Sequence, residues 1–125
     1  MAGAELTKVE MLLKRLLNAT MHDAVEWQTT DRPYTYECSF PAGSVMVSTE
    51  DGDGQSPYAF EVLDEDGSVL EDLRTTFTST GAPASWNTEL GRLYNRAHRK
   101  ALDLDKKLDR IMENLPPLPD EEPPF

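Results

Sequence analysis

The chain has 125 residues, 38% of them apolar, with 23 acidic against 12 basic side chains and a formal net charge of −11. A chain of that length can bury roughly 65–70% of its unfolded surface around one core, and its excess negative charge disfavours nucleic acid as a global partner while favouring basic ones. No apolar run approaches the roughly 18 residues of a membrane span, a lone cysteine (Cys38) excludes an internal disulfide, and no leader pattern precedes Glu5, so the expectation is a cytoplasmic protein without membrane contact.

Residues 5–20 carry a helical pattern, with Leu6, Val9, Leu13, Leu16, Leu17 and Thr20 at steps of three and four. From Val25 the period changes to two. Val25 and Trp27 alternate with polar neighbours, then Tyr34, Tyr36, Cys38 and Phe40 share one face of a strand. Pro41-Ala42-Gly43 turns the chain into a strand over 44–49, where Val45 and Val47 repeat the alternation. An acidic, glycine-punctuated loop at 50–57 precedes the face formed by Tyr58, Phe60 and Val62. Asp64-Glu65-Asp66-Gly67 reads as a hairpin turn into 68–74, because Asp-Gly accepts positive φ. Strands joined this tightly predict an antiparallel meander of four or five, one face wet and the other packed on helix.

Residues 75–85 read as a connecting loop ending in Ser85, an N-cap candidate. Beyond it Trp86, Leu90, Leu93, Ala97, Ala101, Leu104, Leu108, Ile111 and Leu115 keep the 3.6-residue period without a slip. That regularity predicts one long C-terminal helix, with Leu102-Asp103 as the place for a bend. Pro116 and Pro117 stop it. The expected architecture is an α+β domain over residues 1–115: an N-terminal helix, the meander, and a long C-terminal helix packed on one sheet face. Residues 116–125, with five prolines and three acids, form an extended tail.

Charge is distributed unevenly. Seven of the 12 cations lie between 92 and 110: Arg92, Arg96, Arg99, Lys100, Lys106, Lys107 and Arg110. At about 100° per residue they cluster opposite the apolar stripe, whereas residues 50–72 hold nine carboxylates and no cation. The polarised surface suits an acidic protein segment docking on the cationic face, although a helix must in any case put polar residues outside. Neither acidic loop has the ligand spacing of a calcium loop. No nucleophile elbow or phosphate-cradling glycine loop is present. His22 and His98 lack metal-spaced companions, and Cys38 shares parity with Tyr36 and Phe40, as a small buried hydrophobe would. Trp27, Trp86, Tyr34, Tyr36, Tyr58 and Phe60 have core spacings. The tail motif Leu115-Pro116-Pro117-Leu118-Pro119 is a weak match to ligands of proline-reading grooves. No catalytic, cofactor-binding or metal-binding residue is therefore expected.

Gly43-Ser44-Val45-Met46-Val47-Ser48, Asp53-Gly54 before Pro57-Tyr58, the hairpin Leu63-Asp64-Glu65-Asp66-Gly67, Leu90-Gly91-Arg92-Leu93-Tyr94, Ala97-His98-Arg99-Lys100-Ala101-Leu102 and the stretch 105–108 together resemble small, uncharacterised bacterial α+β proteins of actinobacterial type. The resemblance spans roughly residues 10–115 and implies the fold but no activity. Such proteins would be expected to carry glycine, as at a helix break, where this chain has Asp103, so the resemblance leaves open whether the helix is continuous there. Function is therefore expected to be non-enzymatic: a protein-interaction module or adaptor acting on a protein partner or on itself, the alternative being an acidic immunity or antitoxin-type inhibitor of a basic toxin.

Overall fold

The computed structural model describes residues 7–76, 81 and 84–121. Leu6, the loop residues 77–80 and 82–83, and the last four tail residues lie outside them. Helix α1 (Lys8–Met21) starts where Thr7 and Glu10 cap one another. Glu10 N donates to Thr7 Oγ1 and Thr7 N to Glu10 Oε1, each at 3.2 Å, satisfying two amides that the first turn otherwise leaves unpaired. Leu13, Leu16, Leu17 and Thr20 form its buried face. It ends at His22, after which Asp23 turns the chain at φ 58°.

Five strands follow in a meander whose spatial order equals chain order: β1 (Gln28–Thr29), β2 (Tyr36–Phe40), β3 (Gly43–Thr49), β4 (Tyr58–Asp64) and β5 (Val69–Arg74). Every neighbour is antiparallel. Register aligns the buried residues across the sheet, with Tyr36 and Phe60 flanking Val47, and Leu73 beyond Phe60. The opposite face is wet and charged. There Arg74 reaches Glu50 and Asp72 at 3.0 Å and Glu61 at 4.0 Å. Between β4 and β5 the pairing skips Leu70, because Val62 faces Glu71 while Leu63 faces Val69. The resulting bulge frees Leu70 from the ladder.

Helix α2 (Asn87–Ala101) crosses β4, β3, β2 and β1, while α1 lies beside it and reaches β5. Leu90, Leu93, Tyr94 and Ala97 face the sheet and complete a core with Leu13, Leu16, Trp27, Cys38, Val45 and Phe60. Ser85 is not its cap. The cap position falls on Trp86, whose side chain caps nothing and whose Nε1 instead donates to Arg74 O at 2.8 Å. Asn87 adds a two-way bond to Thr76, so the helix start is tied to the end of β5.

Three further local expectations differ from the structure. Tyr34 is not on the β2 face: at φ 55° it precedes the strand, and a Cβ on Gly54 would come within 2.9 Å of its ring. Trp27 is buried next to β1 rather than in it, since its Nε1 donates to Thr20 Oγ1 at 3.1 Å. The C-terminal helix is not continuous, because Leu102 ends α2 and Asp103 sits in the left-handed region at φ 52°, ψ 41°. A second helix, α3 (Leu104–Met112), then begins. The first tail residues follow it irregularly, with a 3₁₀ turn at Pro119–Glu121.

Candidate functional site

The core ends at Leu102. Ala101 and Leu102 still pack against it half-buried, and Leu104 is half-buried, but α3 has no buried residue. Leu108 is 46% exposed, Ile111 60% and Leu115 61%. The stripe keeps helical phase through Leu115, yet only its first half meets the sheet. One left-handed residue re-aims everything downstream, so the apolar face continues into water. With Met112 it makes a patch that extends into a groove of about 480 Å³ between α3 and Pro116-Pro117-Leu118.

The seven cations singled out by spacing divide into two groups. Arg99 meets Asp105 and Lys100 meets Asp23, so these two clamp the α2–α3 junction and the end of α1. Arg92, Arg96, Lys106, Lys107 and Arg110 have no ion pair among the described residues. Arg92 and Arg96 are exposed on α2, and the other three lie on the polar side of α3. The cationic surface is therefore smaller than the spacing suggested and is broken by the same hinge as the helix.

The carboxylates divide in a similar way. Glu50, Glu61 and Asp72 are held by Arg74. Asp51, Asp53, Asp64, Glu65, Asp66 and Glu71 have no cation partner among the described residues. The 50–57 loop and the 64–68 turn lie at opposite ends of the sheet, as the β3–β4 and β4–β5 connections require. Asp53 Oδ1 and Asp66 Oδ1 accept bonds from Gln55 N and Ser68 N. The backbone bond from Ser68 holds the Asp66 carboxyl below its ordinary range. Among the described residues no three His, Cys, Asp or Glu side chains converge as a metal site would need.

Trp27, Tyr36, Phe60 and Tyr94 belong to the core, with Tyr58 and Trp86 packed against it, whereas Tyr34 is 43% exposed. Tyr58 stacks on Tyr94 with ring centres 4.7 Å apart, and Tyr36 lies 5.7 Å from Tyr94. The hydroxyls of Tyr36 and Tyr94 are satisfied: Tyr36 Oη and His98 Nδ1 share a 2.7 Å hydrogen bond, and Tyr94 Oη donates to Tyr34 O at 3.2 Å. Burial raises both phenols above their ordinary value. His98, one of the two histidines read as ordinary, is thus a core partner. Cys38 is 1% exposed, and burial first, then the nearby Glu37 charge, pushes its thiol up to about 11. Such a thiol stays protonated at neutral pH.

One feature had no sequence signal. On the helix-facing side of the sheet, beyond the edge of α1, a trough of about 330 Å³ is left uncovered between Leu12, Phe40, Val45, Val62 and Leu70. Phe40 is 41% exposed and Leu70 57%. Alternation placed Phe40 in the core, but no described helix extends over that end of the strand, and the bulge frees Leu70 beside the trough. No described helix is long and apolar enough to cross a membrane. Compared with protein-family models, curated proteins and solved structures, the chain matches none.

Proposed function

We propose that this chain is a non-enzymatic protein–protein interaction module of the bacterial cytoplasm, with α3 as its docking element and Arg92, Arg96, Lys106, Lys107 and Arg110 as the charged surround. The observation that carries the reading is the bare apolar face of α3 and the residues just after it: Leu108, Ile111 and Met112 on the helix and Leu115 beyond it are each about half exposed, and α3 has no fully buried residue. Nine residues are too few for a stable isolated helix in water. Covering those four side chains would contribute on the order of 1 kcal/mol each, so a partner would order the helix and hide its face at once. The unpaired cations favour a partner surface that is acidic around an apolar centre.

The test is capture from host extract by immobilised full-length chain, beside a Leu108→Glu, Ile111→Glu variant and an Arg92→Glu, Arg96→Glu variant. Loss of the captured protein with the first variant and weaker, more salt-sensitive capture with the second is the expected result. Equal capture by all three would remove α3 from the reading. A second reading, an acidic inhibitor of a basic toxin, is supported by the six carboxylates of residues 50–72 that have no cation partner among the described residues. It predicts that Asp51→Asn, Asp53→Asn abolishes capture while the α3 variant binds normally.

A further inference from the structure

Two apolar surfaces are left open among the described residues: the face of α3 and the trough beside α1. We propose that they are each other's partners between two copies, so that α3 of each protomer seats in the trough of the other and the chain forms a reciprocal homodimer. The inference rests on α3 being a docking element and names what it docks on.

Charge complementarity selects this occupant. The lining of the trough is uncharged, but the elements that bound it carry opposite charge. On the α1 side, Lys8 and Arg15 stand four residues before and three after Leu12, on the same helix face. Neither has a carboxylate partner among the described residues. On the side of the β4–β5 turn stand Glu65 and Asp66, and Glu71 faces Val62 across the ladder. No cation partners any of these three among the described residues.

The apolar face of α3 is flanked the same way. At 100° per residue, Lys107 borders it on one side with Arg110 beyond, and Asp109 lies on the other beside Asp105, which Arg99 already holds. One direction of the helix in the trough sets cations against carboxylates along both rims. The reverse direction opposes like charges along both, so the contact has a defined polarity.

Size favours exchange over a single contact. Helix α3 is about 14 Å long at 1.5 Å per residue, too short alone to supply the roughly 800 Å² per partner of a stable interface. A two-fold axis uses each helix and each trough once, doubling the contact without a further surface. The net charge of −11 on each copy opposes approach at long range, but at physiological salt that repulsion is screened beyond about 8 Å, whereas paired rims act at contact.

The experiment is sedimentation equilibrium on the full-length chain from about 1 to about 200 µM in roughly 0.15 M salt, with circular dichroism to verify folding of each variant. A concentration-dependent dimer is expected. Leu108→Glu, Ile111→Glu on the helix and Leu70→Glu in the trough should each weaken it about tenfold or more. Lys107→Glu, Arg110→Glu should weaken it, as should Glu65→Lys, Glu71→Lys, and the four changes combined in one chain should restore it.

Three results overturn the proposal. A wild-type monomer throughout the range removes self-docking, while the capture experiment still decides whether α3 binds another protein. A dimer indifferent to Leu70→Glu and to charge restoration means that α3 pairs with α3 and the trough is empty. A dimer indifferent to the α3 changes removes the helix from both readings.

Discussion

The hinge at Asp103 decides whether the C-terminal stripe is core or surface, and substituting it tests the physical reason. An L-residue in the left-handed region costs roughly 1–2 kcal/mol, somewhat less for Asp than for β-carbon neighbours without a short polar group. Glycine carries no such cost. The Asp103 side chain makes no capping bond that a replacement would lose. Asp103→Gly should therefore favour the α2–α3 junction by roughly 0.7 kcal/mol after the extra unfolded-state entropy of glycine is deducted, and Asp103→Ala should disfavour it by a similar amount. The first backbone bond of α3 across the hinge runs from Lys107 N to Asp103 O at 3.0 Å, so hydrogen exchange of α3 amides reads the change directly. A shift of 0.7 kcal/mol is about threefold in protection: up about threefold in the Gly variant and down about threefold in the Ala variant, measured on dilute monomer. If the Ala variant protects α3 as well as the wild type or better, the helices have fused, and strain at residue 103 does not set the break.

Thr20 is fully buried, accepts from Trp27 Nε1 and donates to Leu16 O at 2.7 Å. Thr20→Val should cost about 1–3 kcal/mol by stranding the indole N–H, and clearly less in a Trp27→Phe background, as a double-mutant cycle in denaturant would measure. Cys38 should resist aromatic disulfide reagents in the native state at pH 8 and react at once on unfolding. Because its thiol titrates higher folded than unfolded, the unfolded chain releases its proton first, and stability should fall as pH rises from about 9 to about 11. Cys38→Val should flatten that slope in urea titrations. A Cβ on Gly43 would sit 2.2 Å from Leu63 O; backbone cannot yield as a flexible side chain does, so Gly43→Ala should cost about 1–3 kcal/mol in thermal unfolding.

Much of this molecule was legible from local pattern. Period two in Tyr36, Cys38, Val45, Val47 and Phe60 and period three to four in Leu13, Leu16, Leu90 and Leu93 mark which side of each element is apolar, and all of these residues are buried. The Asp66-Gly67 turn followed from a backbone preference for positive φ, realised at 90°. The start of α1 also has a local signal, the Thr7-x-x-Glu10 capping box, which places it at Lys8 rather than at residue 5. In each case the cause lies within a few residues of its effect, so the chain alone carries it.

The candidate site was not legible in that way. Period says that Leu108, Ile111 and Phe40 share an apolar face with core residues; it says nothing about whether another element reaches that face. Coverage depends on where α1 ends relative to the sheet, on the bulge that releases Leu70, and on one left-handed residue that turns α3 away from the core. The same holds for charge: spacing grouped seven cations, but only the meeting of α1 and α2 ends pairs Lys100 with Asp23, while Arg92 and Arg96 meet no carboxylate among the described residues. Amino-acid order by itself determined which surfaces are apolar and which are charged, because periodicity and propensity act locally. Which of those surfaces remain open was decided only by tertiary packing, because burial is a relation between elements far apart in the chain.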